Sequence, residues 1–171
     1  MSRRRGVGLA VALAAAAIVA GGMLPSMAQE VPPPIATEFL SGRAVFTDDV
    51  SALIKVKRDG GQTEVVKVDD PTHTVVARFT VQPGAQFPWH SHAGPVIVNV
   101  TEGTLVYVGA DDCEEQEYAQ GTAFVDLGHG HVHSAFNPGE VPTVLVATFV
   151  EAPASGPLLI PADAPTGCVL G

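Results

Sequence analysis

The chain has 171 residues, 46% hydrophobic and 16% charged, which suits a single packed domain and excludes a charge-rich disordered chain. Nine basic against 18 acidic side chains give a net charge of −9, and no basic stripe is present to neutralise phosphates, so nucleic-acid binding is disfavoured. Fourteen prolines and 18 glycines point to many turns and an all-β body.

Residues 1–28 read as an export signal: Arg3, Arg4 and Arg5, then an apolar run from Val7 to Ala20, then the small-x-small site Ser26-Met27-Ala28. That run is shorter than the roughly 20 residues a bilayer core takes. Cleavage after Ala28 is therefore favoured over a retained anchor, leaving no stable membrane span and a secreted, periplasmic or cell-envelope protein. Ser2-Arg3-Arg4 leaves the general and twin-arginine routes both open. Removal of three arginines leaves 6 basic against 18 acidic residues, so the mature charge is 6 − 18 = −12, which favours solubility. Residues 29–41, with Pro32-Pro33-Pro34, read as an extended Pro-rich lead-in. Residues 42–151 read as the β-body and 152–171 as a C-terminal tail.

Within the body, short alternating segments are split by turn signals. Leu53–Lys57, the turn Asp59-Gly60-Gly61 and Glu64–Val68 form a hairpin pattern. His73–Val81 alternates up to Pro83-Gly84, and Val96, Val98 and Val100 share one face before the turn at Glu102-Gly103. Thr104–Val108, Thr122–Val125, His131–Phe136 and Thr143–Val150 continue the series. No helical stripe is visible, so a sandwich or barrel is expected.

Cys113 lies in the acidic stretch Asp111–Glu115 and Cys168 lies near the C-terminus. In an exported chain such a pair is expected to form a disulfide that pins the tail; two free thiols are the alternative.

Five of the six histidines fall in two clusters, Trp89-His90-Ser91-His92 and His129-Gly130-His131-Val132-His133. On a strand, positions i and i+2 share a side, so His90 and His92 present two imidazoles to one space. Neutral imidazole is a common transition-metal ligand, and a third ring completes the set if the fold returns that strand alongside. A polar pair at a barrel mouth is the bland alternative. His131 shares the parity of His133, so it either hydrogen-bonds behind the ligands or faces solvent. His129, between two glycines, reads as a loop residue, and His73 as structural. Trp89 is placed near any cavity by its neighbour His90.

These residues resemble the cupin superfamily, specifically its small single-domain members. The family's first motif is G-x5-H-x-H-x(3,4)-E-x6-G, matched by Gly84, His90, His92 and Gly103, with Val96 at the glutamate position. Its second is G-x5-P-x-G-x2-H-x3-N, matched by Gly130, His133 and Asn137, with Gly128 in place of the proline and Gly121 one residue too far upstream. The resemblance spans about Phe79 to Phe149. It implies a double-stranded β-helix (jelly-roll) barrel with His90, His92 and His133 as metal ligands, and with Val96, Trp89, His131 and Asn137 around the pocket. Val96 cannot donate a ligand. Glu102 at a hairpin turn and Asp126 ahead of the second cluster are not expected to replace it. A three-histidine shell for Fe, Mn, Ni, Cu or Zn follows, acting as a small-molecule oxygenase-type enzyme or as a non-catalytic ligand- or metal-binding module. Exposed strand edges would also allow a homodimer.

Overall fold

The computed structural model describes residues 34–57, 61–168 and 170, all within the compact unit that begins at Pro32. The expected export signal, Pro32-Pro33 and most of the expected turn at Asp59-Gly60-Gly61 lie outside the described residues. Among the described residues, thirteen strands follow in chain order. They are β1 (Ile35–Phe39), β2 (Ala44–Val45), β3 (Ser51–Lys57), β4 (Thr63–Asp69), β5 (His73–Val81), β6 (His90–Ser91) and β7 (Val96–Glu102). The rest are β8 (Thr104–Gly109), β9 (Glu115–Ala119), β10 (Ala123–Asp126), β11 (His133–Phe136), β12 (Thr143–Phe149) and β13 (Ile160–Pro161). No helix among the described residues is long and apolar enough to cross a membrane.

One sheet has the order β1-β5-β12-β7-β10, with β2 also on β5; the other has the order β13-β6-β11-β8-β9. Strands distant in sequence therefore become neighbours, in the manner of an antiparallel jelly roll. Period-2 burial drives the packing. Val75, Ala77, Phe79 and Val81 of β5, Val96, Val98 and Val100 of β7, and Leu145, Ala147 and Phe149 of β12 all turn into one core with Leu105 and Ala135 of the second sheet. Strand β8 is buried on both sides. Leu105 faces that core, while Val106 and Val108 pack outward under Trp89, Phe136, Cys168 and Leu170. The β3–β4 hairpin covers one end through Val66, Val68 and Leu127.

Two boundaries differ from the sequence reading. The lead-in is folded sooner than expected, because Ile35–Phe39 pairs along its whole length with Ala77–Val81 of β5. The tail is more than a tail: Ile160 and Pro161 pair with Ser91 and His90 of β6. Cys113 and Cys168 form a disulfide across a separation of 55 residues, with Cα atoms 5.3 Å apart. Arg43 adds hydrogen bonds to the carbonyls of Pro153 and Gly156.

Candidate metal centre

The second sheet assembles the histidines. His90 in β6 is the antiparallel partner of His133 in β11, so their side chains leave the ladder toward the same space. His92, two residues on, keeps the parity of His90. Ring centroids lie 4.3 Å apart for His90 and His133, 4.8 Å for His90 and His92, and 5.1 Å for His92 and His133. All three are buried, and one nitrogen from each falls within 4.8 Å of the others.

Hydrogen bonding selects which nitrogen. His90 Nδ1–H donates to the Pro88 carbonyl at 2.6 Å and His92 Nδ1–H to the Leu158 carbonyl at 2.9 Å. His133 Nδ1 lies 3.3 Å from the His131 carbonyl and 3.2 Å from Asp126 Oδ2. A carbonyl or carboxylate only accepts, so each Nδ1 carries the proton and each Nε2 keeps its lone pair. Charge state agrees. Burial, aided by the neighbouring rings, pushes His90 down to about 3. Burial pushes His133 down to about 4 despite Asp126, and lowers His92 as well. At neutral pH the set is therefore three neutral imidazoles, the form that binds a metal.

The rings open into a cavity of about 50 Å³ whose other walls are chiefly apolar, including Phe79, Val96, Val98, Phe124 and Phe149. Val96 thus lines the pocket, as a wall without a donor. Trp89 does not. Its parity is opposite to that of His90, and it packs outside the barrel against Val106, Val108 and Phe136. Asn137 also stays out of the pocket. Its amide donates to the carbonyls of Val81 and Val141 at 2.9 and 2.8 Å, and its Oδ1 accepts from Gly139 N at 2.9 Å, which clamps the turn after β11. His131 stands behind the centre, its Nδ1 3.2 Å from the Tyr107 hydroxyl and 3.4 Å from Asp126 Oδ2. His129 pairs with Glu151 at 2.8 Å instead of reaching inward. Gly128 holds this loop close: with φ at +62°, a Cβ there would strike the Gly94 carbonyl.

Asp126 is the residue that sequence reasoning set aside. It is 2% exposed and lines the cavity, with Tyr107 donating to its Oδ2 at 2.7 Å and Gly128 N to its Oδ1 at 3.0 Å. Burial pushes its carboxyl up most strongly. The hydrogen bond from His131, the neighbouring His133 and the Tyr107 hydroxyl outweigh this and hold it below the usual carboxylate range. A carboxylate inside the apolar run Ala123-Phe124-Val125-Asp126-Leu127 was the available signal, since such a group is costly unless partnered. Leu158 and Leu159 were missed for a different reason: nothing local in the tail shows that it returns to β6.

An antiparallel two-sheet barrel with three converging imidazoles inside defines a small histidine-lined β-barrel protein. Residues 77–149 match the family model described as Cupin domain, so this stretch of the chain carries a cupin domain. No curated protein matches its sequence. Among solved structures it is similar to the polyketide cyclase RemF from Streptomyces resistomycificus, with 22% identity and a TM-score of 0.44 over 54% of this chain and 64% of that one. It is also similar to an oxalate oxidase, with 25% identity and a TM-score of 0.41 over 46% of this chain and 42% of that one. A third likeness is KdgF from a Halomonas species, with 18% identity and a TM-score of 0.44 over 70% and 82% of the two chains. The match spans less than two thirds of the RemF and oxalate oxidase chains.

Proposed function

We propose that this is an exported cupin that holds one divalent transition metal on Nε2 of His90, His92 and His133 and engages a small anionic ligand in its apolar cavity. The observation that carries the reading is the commitment of all three Nδ1 atoms to acceptors in rings whose nitrogens approach within 4.8 Å, which leaves three Nε2 lone pairs free for a shared ion. Such outer hydrogen bonds fix the tautomer and orientation of metal-bound histidine.

Three neutral ligands leave the full charge of a divalent ion uncompensated, so the bound ion supplies Lewis acidity toward oxygen donors. The surrounding Val and Phe side chains exclude water and strengthen that electrostatic pull. The space beside the rings, about 50 Å³, takes a few ligand atoms, and its open side leaves the rest of a larger molecule outside. Enolates, carboxylates and thiolates fit this description, with neutral dioxygen as a co-ligand beside one. An oxygenase-type enzyme and a non-catalytic binding module share this centre, and oxygen uptake with small thiols and diketones separates them. The signal-like pattern of residues 1–28 and the disulfide together support a location outside the cytosol.

Metal analysis of the purified chain tests the proposal. One equivalent of a transition metal is expected, lost in His90→Ala and in His133→Ala. Unchanged metal content in both variants would remove the basis for the reading.

A further inference from the structure

We infer that Asp126 is the positioning carboxylate of the centre, acting through His133 and not as a ligand itself; this rests on the metal reading above. The placement is specific. Asp126 is the direct cross-strand partner of Val96 in the β7–β10 ladder, so a buried acid stands opposite the position where the family motif has its glutamate. Its ligand-sized group comprises His131 and His133, and does not include His90 or His92. Its Oδ2 lies 3.2 Å from His133 Nδ1, the nitrogen that carries the proton and leaves Nε2 for an ion. Tyr107 fixes both partners: its hydroxyl donates to Oδ2 at 2.7 Å, and its ring stacks on His133 with centroids 5.0 Å apart and an angle of 21°.

The charge is the informative part. Oδ1 accepts from Gly128 N while Oδ2 faces Tyr107, His131 and His133, so both oxygens serve as acceptors; an asparagine would keep one acceptor and turn a donor toward the other set. No lysine or arginine pairs with Asp126 among the described residues. A buried carboxylate without a permanent cation is costly. A divalent ion across the His133 ring would supply the counter-charge. The carboxylate in turn makes the imidazole a stronger donor and locks its tautomer, the carboxylate–histidine–metal arrangement known from other folds.

The test is Zn²⁺ titration of the metal-free full chain by calorimetry with a competing chelator. Asp126→Asn should bind one Zn²⁺ about 10–100-fold more weakly than the parent, each measured below the melting temperature of its metal-free chain, and Asp126→Glu should recover part of the loss. Binding by Asp126→Asn within twofold of the parent would overturn the inference while leaving the three-histidine site standing. Failure of the parent chain to bind Zn²⁺, or full affinity in His90→Ala, would overturn both. Should Asp126→Asn not fold, ¹⁵N NMR of the histidine rings in the metal-free parent decides. His133 is expected as the Nδ1–H tautomer, and an Nε2–H tautomer contradicts the role.

Discussion

His92 is held in place by Leu158: its Nδ1–H donates to the Leu158 carbonyl at 2.9 Å across 66 residues of chain. The C-terminal segment therefore belongs to the centre, and the neighbouring Leu159 lines the cavity. The pairing of β13 with β6 and the Cys113–Cys168 disulfide anchor that segment at two points. Replacing both cysteines by serine should cost up to about 4 kcal/mol, the loop-closure value for a bridge of this span. It should also weaken metal binding several-fold. Denaturant melts and metal titration on the double variant check this. Unchanged affinity would show that β13 positions Leu158 unaided.

Acid should unfold the metal-free protein early. The folded-state values of His90, His92 and His133 lie below the ordinary histidine value, principally through burial. The unfolded chain thus takes up protons that the folded chain refuses. This contribution to stability is complete above about pH 6.5 and is lost as the pH falls toward 4. Each histidine contributes up to about 1.4 kcal/mol per pH unit across that interval. Asp126, held low in the fold, adds in the same sense only below the ordinary carboxylate range. Urea midpoints between pH 7 and pH 4 measure the effect, and a flat profile would contradict it.

Much of the architecture was legible because the long strands of the first sheet, β5, β7 and β12, alternate on period 2. His73–Val81 and Thr143–Phe149 run from buried to part-exposed positions as their sequences suggest. Strands β1 and β13 were not legible, since their hydrogen-bond partners lie far along the chain and a Pro-rich flank masks each. Strand β9 was hidden for another reason: Glu115–Ala119 is an edge strand of mostly polar residues paired only with β8. At the site, i and i+2 parity placed His90 beside His92. The same rule assigns Trp89 to the opposite side, where it packs under the tail. Asp126 was set aside as a replacement ligand although its apolar neighbours marked a buried acid, because its register opposite Val96 is not encoded locally.

Trp89→Phe should accordingly lower stability by about 1–3 kcal/mol through lost outer packing and leave metal affinity within twofold. Parallel melts and titrations check the pair of values. A selective loss of affinity would return Trp89 to the pocket.

Val96→Glu puts a carboxylate on the buried β7 position opposite Asp126. Two facing acids in an apolar cavity should destabilise the metal-free protein by about 3–5 kcal/mol. Metal should restore more stability to this variant than to the parent, because the new side chain then has a cation to bind. Melting temperatures with and without Zn²⁺ report both effects. An identical metal-induced shift in the two proteins would mean that position 96 does not reach the ion.

X-ray absorption spectroscopy of the metal-loaded chain tests the central claim most directly. For zinc the account predicts three imidazole nitrogens at about 2.0–2.1 Å with the remaining coordination from oxygen, and fewer imidazoles in His133→Ala. A spectrum showing one imidazole or none, or unchanged by that substitution, would contradict it.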